Sequence, residues 1–332
     1  MAHSFVVCKL AKFAFSDKNG NARLASVQNM LVHLPGLCAI DIRKVDLKTL
    51  LAAIDLEPGS LLVVKRAAEL AARLKAKLHI VHVVDDALTL YEPMIEISVR
   101  HRLRQAADLA LQDFFEALPG SVKPHTSCHV LLGKPHQTLS KQVSELEADV
   151  LIVGRHHIEP LRDLFVGTTA ERLLRHCDIP LLMVSTDSVE PYQHVLAATD
   201  FSRSSHHALQ AGLALAPQAN IRLVHVCEPP FVGFVRYDKQ DLDNMLAQKK
   251  ARLRREVETE MAHFLAVEDK SRIKTDILTG NVQTCLTDAV DQYHPQLLVL
   301  GTHGRQGISR LLIGSVATSF LSTLPCDVLV AR

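Results

Sequence analysis

The chain of 332 residues has 22% charged and 48% hydrophobic residues, enough apolar material for about two buried cores. Lys+Arg at 37 against Asp+Glu at 36 excludes a whole-surface field that would collect nucleic acid or anionic membrane. No Trp and 5% aromatics leave no stacking platform for single strands, and no apolar run approaches the ~20 residues of a membrane span. The seven Cys are odd in number and widely spaced, with no C-x-x-C. That argues against a disulfide framework or a structural zinc site and for a reducing, cytoplasmic setting. The apolar stretch Met1 to Phe15 is interrupted by Lys9 and Lys12, which makes a poor secretory signal.

In chain order, the first 46 residues hold a turn signal, Asp17-Lys18-Asn19-Gly20, and a short helical pattern from Leu24 to His33. Disorder, a docked appendage, a targeting role and an upstream start are the open readings for this extension. From about residue 47 the chain repeats itself. Leu50–Asp55 (LLAAID) returns as Val195–Asp200 (VLAATD), and Leu78–Val83 (LHIVHV) as Ile221–Val226 (IRLVHV). Gly133–Val184 aligns without a gap on Gly280–Ala331, with eleven identities in 52 positions, where composition alone gives about four or five. Three parts follow: the extension 1–46, a first copy at 47–187 and a second at 192–332. They are joined by the polar stretch Ser185 to Gln193, which includes Pro191.

Each copy reads β-α-β-α-β-α-β-α-β. In the second, His194–Thr199 is a strand, Ser202 caps a helix to about Ala216, and Ile221–Val226 is the next strand. A long Lys-, Arg- and Glu-rich helical pattern covers Asp238–Ala266. Lys274–Leu278 (strand), Val282–Gln292 (helix), Leu297–Leu300 (strand), Ser315–Thr323 (helix) and Val328–Ala331 (strand) complete it. Continuous apolar strands alternating with helices predict a parallel sheet covered on both faces, a doubly wound α/β sandwich in each half.

The strand Leu297–Leu300 runs into Gly301-Thr302-His303-Gly304, and nine residues later Gly314-Ser315 opens the last helix. Glycines after a strand permit close backbone approach to a ligand. A helix N-terminus favours phosphate, and Ser315 adds a hydroxyl there. Ligands of such sheets bind beyond the carboxyl ends of the strands, where the strand order reverses. If the first and fourth strands are neighbours, Asp200 and Gly301 face one crevice. A carboxylate beside phosphates calls for a cation between them, so Asp200 points to Mg²⁺ held through the nucleotide. A tight turn is the bland alternative for any one of these glycines.

Gly301-x-x-Gly304-x9-Gly314-Ser315, with Thr199-Asp200-Phe201-Ser202 and Val224-His225-Val226, resembles the ATP-binding universal stress proteins, in the form that carries two such domains in one chain. The resemblance covers residues about 47–332. It implies a five-stranded parallel sheet of order 3-2-1-4-5 in each half and ATP, with Mg, as the ligand. It places Asp200 near phosphates and metal, with Thr199 before it. Val226 has its backbone at adenine, and Ala198 lines the same pocket. Gly301, Thr302, His303, Gly304, Gly314, Ser315 and Val316 form the phosphate and ribose loop.

The matching first-half positions are Asp55, Val83, Gly154, His157, Gly167 and Thr168. There His157 replaces the second glycine, which obstructs backbone approach, and Glu159 and Asp163 add negative charge against Arg155 and Arg162. The first half is therefore read as a degenerate nucleotide loop and the second as an intact one. Of the histidines, His125 and His129 are expected on one strand about 13 Å apart, too far to share an ion. The adjacent pairs His156-His157 and His206-His207 are expected to diverge, and His82 and His225 read as satisfied interior residues. Metal beyond a nucleotide-bound Mg²⁺ is not expected.

The chain lacks G-x-x-x-x-G-K-[ST] and a plainly placed base for phosphoryl transfer. The leading reading is a cytoplasmic ATP-binding protein of stress response or signalling without a dedicated enzymatic activity. Slow ATP hydrolysis or autophosphorylation, on a Ser such as Ser315, stays as an alternative. So does a nucleotide-independent interaction module. In that reading the terminal strands Leu181–Val184 and Val328–Arg332 pair edge to edge, joining the halves into an intrachain pseudo-dimer or two copies into a homodimer. A dinucleotide-binding enzyme is disfavoured, because neither first strand is followed by G-x-G-x-x-G.

Overall fold

Strands made only of apolar residues bury both faces, and each such strand here sends alternate residues into one of two cores. Leu297 and Val299 enter one core, while Leu298 and Leu300 enter the other. A computed structural model describes residues 45–85, 93–155, 168–185, 189–227, 271–302 and 313–332, with seven more between 244 and 255. The Leu24–His33 helix and the histidines 156, 157 and 303 lie outside the described residues, as do Gly167 and Gly304.

The first half contains β1 (Thr49–Ile54), α1 (Ser60–Leu74), β2 (Lys77–Val84), α2 (Pro93–Glu116), β3 (Thr126–Leu132), α3 (Pro135–Glu145), β4 (Val150–Gly154), α4 (Thr168–His176) and β5 (Leu181–Val184). The second contains β6 (His194–Ala198), α5 (Arg203–Leu215), β7 (Asn220–Cys227), β8 (Ile273–Thr279), α6 (Val282–Tyr293), β9 (Leu297–Gly301), α7 (Ser315–Thr323) and β10 (Asp327–Ala331). Apart from Asp238–Ala266, most of which lies outside the described residues, the expected strands and helices of the second half stand within a residue or two of these bounds. The seven described residues between Asn244 and Arg255 are helical and exposed, Arg252, Arg254 and Arg255 among them.

All ten strands form one sheet of order β3-β2-β1-β4-β5-β10-β9-β6-β7-β8. Each half thus has the order 3-2-1-4-5 and is parallel within itself. The two five-stranded sheets are not separate, however. β5 and β10 pair antiparallel, Val328 with Met183, Leu329 with Leu182 and Val330 with Leu181. Leu182 and Leu329 are equivalent residues of the two copies, so a local twofold axis passes between them. Edge-to-edge pairing hides two unpaired strand edges at once, and the cores follow the sheet across the joint. α1, α2 and α5 cover one face, with Val63, Leu111 and Leu209 in a single cluster. α3, α4, α6 and α7 cover the other, with Val143, Leu173, Leu286 and Phe320.

A buried polar group locks one side of this joint. Arg66 of α1 lies in the first half and Asp327 of β10 in the second; their side chains are 2% and 0% exposed, with Arg66 Nε 3.2 Å from Asp327 Oδ2. Buried Tyr192, from the connection, donates its hydroxyl to the same carboxylate oxygen at 2.6 Å, and Arg66 stands 4.3 Å over its ring. The position equivalent to Asp327 in the first copy is Pro180, so the group occurs once. On the other side, Arg332 donates to the Arg175 carbonyl at 3.0 Å.

One expectation fails here. His125 is not on a strand with His129: it closes the 3-10 turn Lys123–His125, whose proline sits in its first positions, and β3 begins only at Thr126. Proline fixes φ in the helical range, which postpones the strand.

Candidate functional site

β6 lies between β7 and β9 in the sheet, so the first and fourth strands of the second copy are neighbours, as the crevice argument requires. At its carboxyl end, Thr199 is buried and its N–H donates to the Val224 carbonyl at 2.9 Å. Phe201 then takes φ 62°, a left-handed turn that an L residue adopts at a cost. Local bonds hold it: Phe201 N–H donates to Thr199 Oγ1 at 3.1 Å, and Ser202 N–H to Asp200 Oδ1 at 3.0 Å. Ser202 caps α5 as expected, accepting from the Ser205 N–H at 3.2 Å. Behind the turn, His225 Nδ1 donates to the Thr199 carbonyl at 2.8 Å, its ring 4.7 Å from that of Phe201.

β9 brings Gly301 against the first turn of α5. A Cβ at Gly301 would stand 2.7 Å from the Ser205 backbone nitrogen and 2.9 Å from the Ser204 carbonyl carbon, so only glycine fits there. The next residue, Thr302, is fully buried. Its N–H donates to the Ala331 carbonyl at 2.8 Å, and its own carbonyl accepts from Gly314 N–H at 2.7 Å. The two stems of the glycine loop are thereby clipped together at the end of the sheet. Gly314 is the N-cap of α7 with no side-chain cap, and a Cβ there would meet the Thr302 carbonyl oxygen at 3.1 Å. Ser315 begins α7 and is exposed. Ala198, Val226 and Val316 all edge the core cluster on the α6–α7 face. The described members of the expected set therefore gather at one end of β6, β7 and β9, while His303 and Gly304 lie outside the described residues.

The first copy keeps the turn but uses it differently. Leu56 has φ 66°, and His82 Nδ1 donates to the Ile54 carbonyl at 2.9 Å. His82 and His225 are thus satisfied in both copies, as read from the sequence. Asp55 Oδ1, however, accepts from the Ser60 hydroxyl at 2.6 Å and the Glu57 N–H at 3.1 Å, which ties this carboxylate into the start of α1. Gly154 meets only a side chain, with Val63 Cγ2 2.7 Å from its would-be Cβ. Exposed Arg155 takes the place of buried Thr302.

The model of the universal stress protein family matches residues 47–185 and again 191–332. The chain belongs to the universal stress protein family. It carries the family's domain twice in tandem. Universal stress protein A homolog 1 of Coxiella burnetii is 33% identical over 140 residues, 42% of this chain and 94% of that protein. Universal stress protein E of Escherichia coli is 24% identical over 219 residues, 60% of this chain and 65% of that one. The crystal structure of a universal stress protein from Archaeoglobus fulgidus superposes with a TM-score of 0.62 at 16% identity, covering 86% of this chain and 96% of that one. At that identity the likeness shows the universal stress protein fold alone.

Sequence reasoning missed two features. The Thr302 clip joins residues whose partners lie on β10 and α7, and only a buried threonine between glycines hinted at it. The second is on the outer strands of the first half, where His129 meets His79 of β2: Nδ1 of His79 and Nε2 of His129 are 3.2 Å apart. Among the described residues no group of three or more His, Cys, Asp or Glu could hold a metal ion, and no helix is long and apolar enough to cross a membrane.

Proposed function

We propose that the chain is an ATP-binding stress protein that holds one nucleotide in its second half, beyond β6, β7 and β9. The observation that carries this reading is the clipped glycine frame. Gly301 is pressed on the backbone of α5, and Gly314 N–H is bonded to the Thr302 carbonyl. The exposed Ser315 opens α7 beside them. Glycine at both stems lets the backbones of β9, α5 and the α7 N-cap close up with no side chain between them, and the α7 N-terminus offers N–H donors to phosphate. Those features fit a nucleotide, with Ser315 and the loop residues His303 and Gly304 toward phosphate and ribose, buried Thr302 holding the frame behind them, and Ala198, Val226 and Val316 around adenine. Asp200 is the residue for a magnesium ion carried by the phosphates, which would neutralise them.

In the first half, Asp55 is committed to Ser60 and Glu57, and His157 stands where the glycine would be, so that copy serves packing. The β5–β10 pairing already uses the two terminal strands, so the chain acts as its own pseudo-dimer. The test is calorimetric titration of the full chain with ATP and Mg²⁺. One site is expected, lost in Gly304→Val and weakened at least about tenfold in Asp200→Ala, a loss of about 1.4 kcal/mol. Asp55→Ala should bind as the parent does. Equal binding in Gly304→Val and the parent would remove the site assignment, and equal losses in Asp55→Ala and Asp200→Ala would remove the preference for the second half.

A further inference from the structure

The two copies diverge on their outer strands in a way that the nucleotide reading does not use. In the second half, Arg222 of β7 and Asp276 of β8 form a cross-strand ion pair, with Nη1 and Oδ2 2.6 Å apart. Tyr293 donates to the same carboxylate at 3.1 Å, and its ring lies 4.0 Å beneath the guanidinium. The equivalent first-half positions are His79 of β2 and His129 of β3, with Leu146 in the place of Tyr293. One slot thus carries fixed opposite charges in one copy and two imidazoles in the other. The imidazoles face each other with ring centroids 5.5 Å apart and planes inclined by 29°. Both are half-buried.

We propose that His79 and His129 form a two-histidine clamp for a borderline divalent transition-metal ion of the zinc or nickel class. A tetrahedral ion with bonds of 2.0–2.1 Å to nitrogen spans two imidazole nitrogens about 3.3 Å apart, and Nδ1 of His79 and Nε2 of His129 stand at 3.2 Å. Little rearrangement separates the hydrogen-bonded pair from a chelating one. Each ring keeps its proton on the nitrogen away from the ion. The backbone is already fixed, since β2 and β3 pair continuously from Leu78 with Thr126 to Val84 with Leu132. Such preorganisation on strands is what a precise site needs. Imidazole suits zinc, copper and nickel better than calcium or magnesium. No third protein ligand is present among the described residues, so water completes the coordination. Exposed Lys77, two residues before His79 on the same strand face, opposes a cation. Half the ligands of a structural zinc site place the dissociation constant on the order of 10 μM.

The full chain is titrated with ZnCl₂ and with NiCl₂ in a non-coordinating buffer at pH 7.5, by calorimetry and by thermal unfolding. The decisive variant is His79→Arg/His129→Asp, which carries the ion pair of the second half and so keeps a bonded cross-strand partner. His136→Asn, at the looser His136–His176 pair with centroids 6.3 Å apart, is the control for other histidines. The expected result is one site in the parent and in His136→Asn, weakened at least tenfold in the double variant, together with a metal-dependent rise in Tm that the double variant loses. Unchanged affinity and stoichiometry in the double variant would overturn the proposal, as would no binding to the parent at about 1 mM metal. His79→Asn and His129→Asn give the same reading singly, should the double variant fail to fold.

Discussion

Replacing Asp327 by Asn keeps the shape of the joint between the halves and removes one charge. Asp327 Oδ1 accepts from Ser185 N–H at 2.8 Å, and Oδ2 accepts from Tyr192 and faces Arg66 Nε at 3.2 Å. Arg66 keeps the Glu190 carbonyl at 2.7 Å and Glu69 Oε2 at 3.4 Å, but Glu69 is shared with Arg73. Burial and the Asp327 carboxylate raise the Tyr192 phenol well above its ordinary value, so it remains a donor. At an effective dielectric of about 20, charges 3.2 Å apart attract by about 5 kcal/mol, and Glu69 offsets part of the loss. Breaking a buried pair from one side costs about 3–5 kcal/mol, and that is the expected loss for Asp327→Asn. Urea unfolding, followed by circular dichroism and by tyrosine emission in a chain without tryptophan, measures it. Arg66→Met/Asp327→Asn should recover much of the loss, since no uncompensated charge is left. A loss below about 1 kcal/mol in Asp327→Asn, or a double variant worse than the sum of the two singles, would refute the account of this group as a charge-dependent lock.

Ser202→Ala removes the α5 cap and should cost about 1 kcal/mol, read as a lower denaturation midpoint at unchanged slope. Gly301→Ala drives a methyl into the α5 backbone and should cost about 1–3 kcal/mol. Gly154→Ala meets only the Val63 side chain and should lower Tm by clearly less. His79 is held below its ordinary value by burial, then by His129 and Lys77, and His129 by burial. As pH falls, the unfolded chain therefore takes up these protons first. Their contribution to stability is complete above about pH 6.5 and is lost as pH falls from there through the folded values. Urea midpoints between pH 7.5 and 5 should fall in the parent and fall less steeply in His79→Arg/His129→Asp.

Much of the molecule was legible along the chain because its causes are local. Two periods of hydrophobicity mark strands and helices, a serine before an apolar helix marks the α5 cap, and the repeat itself implies two copies of one sheet. The glycine pair at Gly301 and Gly314 was legible for the same reason, since a missing side chain is a statement about one position. His125 was misplaced where a local signal, Pro124, was outweighed by the strand pattern following it. What the chain alone left open depends on residues far apart in sequence meeting in space. β5 and β10 could equally have paired between two molecules. That they pair within one chain is settled by geometry, and Arg66, Tyr192 and Asp327 become partners only once that joint is closed. His79 and His129 sit on different strands with a helix between them, and only the β2–β3 register brings their nitrogens together. Local chemistry determined the elements and the glycine frame. The tertiary structure decided which elements share an edge, because side chains remote in sequence interact only after the sheet has fixed the distance between them.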